Sequence, residues 1–230
     1  MPKETFYHLS EKKQQRIMDS AKKEFSRVPL GDASIAQIIK DAGIPRGSFY
    51  QYFEDKEDLY FYYFQSMRRN FQQELNLAVE QAEGNLFDGY ELYFSKMVKE
   101  VLQGTHAAFY KNMFMSMDYR SFNKVAPHFG KNPHAACSPE QQYKEQFQEF
   151  YERVDITLLK VTNQKELKLL VKMLMHMVFS TIAEGYKQMK ENDDHSIDEV
   201  MAEFNLKLSW LKSGATKERI DKEGNKRETI

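Results

Sequence analysis

The sequence predicts an all-α protein. Apolar residues recur at helical spacing along nearly the whole chain, and no convincing run alternates apolar with polar. The 230 residues include only 10 Gly and 6 Pro, too few turn-formers for a sandwich or barrel of short strands. Several of the periodic stretches open on Ser or Asn with Gln or Glu three residues on, the signature of a capped helix start. With 41% apolar and 29% charged residues, the chain can form one large domain or two small ones sharing a core. Disorder and collagen-like repeats are excluded.

The first helix is expected after Ser10 as N-cap, with Ile17, Ala21 and Phe25 on one face, and ends before Pro29-Leu30-Gly31. Ser34 and Gln37 open a short helix to Asp41, whose Ile35, Ile38 and Ile39 point inward, and Gly43 breaks it. Pro45 suits the first turn of a third helix of barely two turns, ending near Tyr52. Asp55 caps a fourth, in which Leu59, Tyr60, Tyr63, Met67, Phe71, Leu75 and Ala78 hold one stripe, long enough to connect two subdomains.

After Gly84-Asn85 a helix carries Tyr90, Phe94, Met97, Val98 and Val101 and closes at Gly104, and the next carries Phe109, Tyr110, Met113, Phe114 and Met117. The stretch 121–138, with Pro127, Gly130 and Pro133, reads as a loop. Ser138-Pro139-Glu140-Gln141 opens a helix expected to reach about Lys160. Asn163 and Glu166 start one that reaches about Lys190, and Ser196 and Glu199 start the last, with Ile197, Val200, Met201, Phe204, Leu208 and Leu211 in register. Beyond it, 214–230 is almost all charged or polar and is expected to be a solvated tail.

The single cysteine, Cys137, leaves no intramolecular disulfide and implies a reducing compartment. The start MPKETFYHLSEKKQQR lacks the apolar segment of a secretory signal, and the longest apolar stretch, 173–183, falls short of the roughly 18 residues of a membrane span. The expectation is a soluble, cytoplasmic protein with no membrane partner. Charge is uneven: residues 1–53 carry 9 Lys+Arg against 6 Asp+Glu, while the rest of the 33 and 34 leave 24 against 28. A mildly basic head sits on an acidic body.

Between Ser34 and Leu59 the chain reads SIAQIIKDAGIPRGSFYQYFEDKEDL. Two short helices joined at Ala42-Gly43-Ile44, apolar inside and offering Arg46, Ser48 and Gln51 outward, form a helix-turn-helix whose second helix suits a DNA major groove. Pro45, Arg46, Gly47 and Ser48 put short side chains and backbone N–H groups at a helix start. The Tyr50 hydroxyl and Lys56 suit phosphates, Arg46 and Gln51 suit base edges, and Ser34 and Gln37 stand behind them as further contacts.

Ile35, Ile38, Ala42, Gly43, Gly47, Tyr50, Phe53, Lys56 and Leu59 stand in the spacing of the DNA-binding domain of TetR-family transcriptional regulators, which residues 10–60 resemble. The resemblance implies a helix-turn-helix DNA-binding domain at 1–53, a helical ligand-binding and dimerisation domain at 54–213 and the tail at 214–230. It also implies a homodimer and a small-molecule inducer that changes the protein's hold on double-stranded operator DNA. A ligand-responsive repressor is the resulting expectation. A helical small-molecule or haem carrier, with the two short helices merely structural, is the reading from another class.

The helix from Asn163 is apolar on more than one face, so a second partner surface is expected there. Small residues at Ala183 and Gly185 permit close approach of another helix. Leu174, Val178 and Ile182, with Phe204 and Leu208 of the last helix, are the expected dimer contacts. The surplus of Met and aromatic side chains suits a mostly apolar pocket, with Tyr63, Met67, Phe94, Met97, Phe114, Met117 and His176 as its candidate lining. His128, His134 and Cys137 match no zinc spacing, so no metal is expected. No specific motif supports haem or another aromatic cofactor at His176 or Tyr119, and none is required. Nucleophile-elbow, phosphate-loop, dinucleotide and metalloprotease motifs are absent, so an enzyme is not expected.

Overall fold

The computed structural model describes residues 2–116, 148–192 and 196–216, apart from the side chains of 68–70 and 72. Its regular structure is helical: α1 (Glu4–Tyr7), α2 (Glu11–Arg27), α3 (Ile35–Ala42), α4 (Arg46–Tyr52), α5 (Lys56–Gln81), α6 (Leu86–Gln103), α7 (Ala107–Ser116), α8 (148–153), α9 (Gln164–Glu191) and α10 (Ile197–Ala215). Two 3-10 turns, Leu30–Asp32 and Ile156–Leu158, punctuate the connections. Among the described residues the β structure is one isolated bridge, Leu159 to Thr216.

Cap chemistry sets most of the helix starts. Asp55 accepts from Asp58 N at 2.8 Å, Asn85 from Phe87 and Asp88, and Asn163 from Glu166 at 3.0 Å. Ser196 and Glu199 form a reciprocal capping box. Two starts differ from expectation. Ser10 stands at the N-cap without a side-chain cap bond, and Gln37 supplies only its amide to Ser34 while its side chain turns to Asp41 at 3.0 Å.

Three elements depart from the sequence reading. Helix α1 is added at the start, where Phe6 is fully buried against Tyr52, Phe53 and Tyr62. The helix expected to reach Lys160 ends at 153 instead. There the backbone threads past the α5–α6 turn, and Asp155 N donates to Gly84 O at 2.9 Å rather than back into the helix. Gly84, at φ +82°, permits this approach, because a Cβ would lie 2.9 Å from Arg153 O. Finally, α10 continues through Gly214 to Ala215, whose carbonyl accepts from Lys160 N at 2.7 Å, so order extends two residues past the expected tail boundary. The loop at 121–138, with His128, His134 and Cys137, lies outside the described residues, as do Tyr119 and the tail beyond 216.

The core is continuous from one end to the other. In the head, Ile17, Phe25, Ile38, Phe49 and Phe53 are fully buried; in the body, Phe87, Phe94, Val98, Phe109 and Phe204 are. An aromatic seam joins the two: Phe25 of α2 meets Tyr60 of α5 edge-on at 5.0 Å, and Tyr60 and Tyr63 meet Phe109 of α7 at 5.2 and 5.0 Å.

Candidate nucleic-acid interface

The short helices α3 and α4 are held at a fixed angle by the chemistry of their turn. Gly43 closes α3 in the left-handed conformation, φ +63°, with its N–H on Ile39 and Lys40 carbonyls, and Ile44 N reaches Ile39 O at 3.1 Å. Arg16 of α2 adds a cap by donating from Nη2 to Ala42 O at 2.8 Å. Behind the turn, Ile38, Ala42, Ile44, Phe49 and Tyr52 are buried. In front, Pro45, Arg46, Gly47, Tyr50 and Gln51 are exposed and Ser34, Gln37 and Ser48 are half-buried. A Cβ on Gly47 would meet nothing within 4 Å, so internal packing does not explain that glycine.

Buried polar groups position this face. Glu24 of α2, 2% exposed, accepts from Arg27 at 2.8 and 2.9 Å and from Ser34 N at 2.8 Å, pinning the start of α3 to α2. The Arg27 guanidinium holds the Glu24 carboxyl below the usual carboxylate range against the opposing effect of burial, and the Ser34 amide adds to it. Lys56 Nζ, expected to face a phosphate, donates to Gly31 O at 2.6 Å and Ala33 O at 3.3 Å, tying the start of α5 to the α2–α3 connection. At the other end of α4, Lys3 N donates to Tyr52 O and Lys3 Nζ to Tyr50 O, both at 2.8 Å, and the Thr5 hydroxyl donates to Gln51 O. The terminal carbonyls of α4 are thus satisfied, with a cation at the negative end of its dipole.

A second set of contacts ties this head to the body. Asn112 of α7 donates from Nδ2 to both Phe25 O and Ser26 O at 3.0 Å, capping α2 from outside the head. Just before α7, His106 Nδ1 and the Tyr63 hydroxyl share a hydrogen bond of 2.8 Å. Burial, and then the Lys22 charge, push the His106 pKa below its usual value.

The residues expected to line a pocket are not one group. Tyr63 and Met67 lie along α5 beside α7, Tyr63 on His106 and Met67 with its sulfur 3.9 Å from the Tyr110 hydroxyl. Phe94 stacks flat on Phe204 of α10, centroids 3.7 Å apart, which makes both of them core. Met97 is buried, and Phe114 packs against Phe179 and Tyr186. His176 is exposed on α9, while Met117 lies outside the described residues. Among the described residues no three His, Cys, Asp or Glu side chains stand close enough to hold a metal.

The expected dimer contacts also move. Leu174, Val178, Ile182, Phe204 and Leu208 are at most 4% exposed in the single chain, so they form the protomer's own core and have no surface to offer. The close approach expected at Gly185 takes place within the chain, where a Cβ would lie 2.8 Å from Val200 of α10. The opposite faces of the same helices carry the free apolar surface: Leu169 and Met173 on α9, Leu206 and Trp210 on α10, between 49% and 67% exposed. A lone Trp in the last helix, two residues after the buried register position Leu208, is the sequence signal for this face.

Comparison with known proteins bears on both halves. Residues 17–63 match the bacterial regulatory proteins of the tetR family, and 85–215 match the tetracyclin repressor-like C-terminal domain. No curated protein matches the chain. Among solved structures, SmeT, the repressor of the Stenotrophomonas maltophilia multidrug efflux pump SmeDEF, superposes with TM-score 0.57 at 15% identity, over 98% of this chain and 99% of that one. The fatty acid degradation regulator FadR from Bacillus halodurans gives 0.56 at 13% identity, covering 88% and 95%. FadR from Bacillus subtilis, in complex with stearoyl-CoA, gives 0.53 at 16%, covering 87% and 98%. At these identities the likeness is one of fold. Among the described residues no helix is long and apolar enough to cross a membrane.

Proposed function

The chain belongs to the TetR family of bacterial transcriptional regulators, and from that premise we propose that it is a homodimeric repressor that releases its operator when a mostly apolar small molecule enters the helical body. The observation that carries this reading is α4. Its inner side is locked by Phe49, Tyr52 and the contacts of Lys3, while Arg46, Gly47, Tyr50 and Gln51 stand exposed on a rigid support. Arg46 and Gln51 read base edges, Tyr50 and the start of α4 meet phosphates, and Ser34, Gln37 and Ser48 flank them. Lys56 contributes by holding the α2–α3 connection in place, and its charge remains close to the DNA side.

Coupling runs through two connections between body and head: α5, which spans both, and Asn112, which holds the end of α2. A ligand that displaces α7 pulls on the Phe25 and Ser26 carbonyls and turns the head, so that two α4 helices no longer match half-sites about 34–36 Å apart. The partner copy covers Leu169, Met173, Leu206 and Trp210, and with it the two half-sites are bound as one. The Bacillus subtilis neighbour is in complex with stearoyl-CoA.

Arg46→Ala and Gln51→Ala test the assignment. Each is expected to cost about 1–3 kcal/mol of operator affinity and to relax base preference, measured by anisotropy on duplexes with single base changes. Unchanged discrimination in both variants would move base reading to Ser34, Gln37 or Ser48.

A further inference from the structure

Four buried side-chain atoms of the body, among the described residues, have no hydrogen-bond partner: Arg153 Nε, Gln188 Oε1, Asn205 Oδ1 and the Tyr90 hydroxyl. The first three sit on half-buried side chains, and only Tyr90 is buried as a whole. Tyr90 of α6 is fully buried, and its hydroxyl has no hydrogen-bond partner among the described residues. Tyr63, Tyr110 and Tyr186, buried in the same body, each find one: His106, the Met67 sulfur, and the Val101 and Ala107 carbonyls. On the same helix Phe87 and Phe94 fill the core with the bare ring. A phenylalanine at 90 would supply that ring without the cost of a buried donor left unmade, so the oxygen is not there for stability.

The chemistry around the hydroxyl defines what would satisfy it. Its ring meets Tyr93 edge-on with centroids 6.4 Å apart. Burial drives its pKa well above the usual value, and the phenols of Tyr93 and Tyr151 add to the rise. The hydroxyl therefore remains a neutral donor, and an uncharged acceptor satisfies it without placing a further charge in the core. The aromatic surroundings favour a ring-bearing or aliphatic body.

We propose that the Tyr90 hydroxyl anchors the effector, donating a hydrogen bond to the carbonyl oxygen of an uncharged, otherwise apolar molecule. This rests on the reading of the body as an effector-binding domain and names the effector's class.

The test uses the full chain, wild type and Tyr90→Phe, with three single-ring probes: acetophenone, its hydrocarbon counterpart cumene, and benzoate. Binding is followed by calorimetry and thermal shift. Without probe, Tyr90→Phe is expected to melt at or about 1–3 °C above wild type, since it removes an unpaired buried donor. Acetophenone is expected to bind wild type about tenfold more tightly than cumene or benzoate, and that preference is expected to vanish in Tyr90→Phe. The proposal is overturned by a preference that survives in the variant, by a preference for benzoate, or by no binding of any probe to wild type. A variant that melts well below wild type also overturns it, because the hydroxyl would then already be paired inside the protein. Operator binding by the wild-type chain is measured in parallel: a chain that holds no DNA refutes the regulator reading, while the acetophenone preference still decides the role of Tyr90.

Discussion

Replacing Trp210 by Glu is expected to split the dimer and leave the protomer folded. Trp210 is 67% exposed in the single chain. For a side chain that buries up to about 250 Å², this is roughly 170 Å² for a partner to cover, worth about 4 kcal/mol at ~25 cal/mol per Å². Two-fold symmetry counts the residue twice, so the interface has about 8 kcal/mol at stake as an upper bound. A third of that already raises the dimer dissociation constant about 100-fold. Because Trp210 is mostly exposed in the single chain, the isolated protomer is expected to change by no more than about 0.5 kcal/mol. Val178→Glu is the control: at 1% exposure it puts a charge in the protomer's core, at a cost of several kcal/mol, and unfolds it. Sedimentation velocity at micromolar concentration, with circular dichroism on the same samples, reads both. A Trp210→Glu protein that stays dimeric, or a Val178→Glu protein that becomes a well-folded monomer, would refute the assignment of these faces.

Asn112→Ala leaves two α2 carbonyls without their partner and is expected to cost about 1–2 kcal/mol in stability. It should also weaken effector-driven release more than basal operator affinity, as read by titrating inducer against bound DNA. Gly43→Ala forces a side chain to φ +63° and is expected to lower stability by about 1 kcal/mol, seen as a reduced denaturation midpoint. Because the Glu24 carboxyl is held low in the folded chain, the unfolded chain takes up its proton first on acidification. Stability from Glu24 is thus complete above the ordinary carboxylate range and is lost as pH falls through its lowered value. Glu24→Gln is expected to show a shallower fall in melting temperature between about pH 5 and 3, and an identical slope would contradict the clamp. His106 is held neutral by burial, so its contribution is full above about pH 6.5 and declines below it, and His106→Gln should flatten that part of the profile.

The parts of this protein that could be read from sequence are those set by local chemistry. Ser34, Gly43 and Pro45 mark the turn between α3 and α4 because a cap, a left-handed residue and a missing N–H act within a few residues. Helix α1 escaped because four residues carry no period, and what orders it is Phe6 meeting Phe53 and Tyr62, far away in sequence. In α9 the two apolar stripes were visible, but periodicity does not say which one faces the protomer's own core. Tertiary packing gave Leu174, Val178 and Ile182 to the inside and Leu169 and Met173 to the outside. For Lys56 the position was legible and its partners were not, since Gly31 and Ala33 come to it only through the bend before α3. The orphaned hydroxyl of Tyr90 has no sequence signal at all, because in the pattern of α6 a tyrosine and a phenylalanine are equivalent.

The most direct test of the central claim is selection of duplexes by the purified chain from sheared DNA of its own source, with wild type and Arg46→Ala in parallel at two salt concentrations. The account predicts that wild type enriches inverted repeats with half-sites about 34–36 Å apart, that binding weakens steeply with salt, and that Arg46→Ala loses the enrichment while retaining salt-dependent non-specific binding. Recovery of unrelated sequences by both proteins, or the same inverted repeats enriched equally by Arg46→Ala, would contradict it.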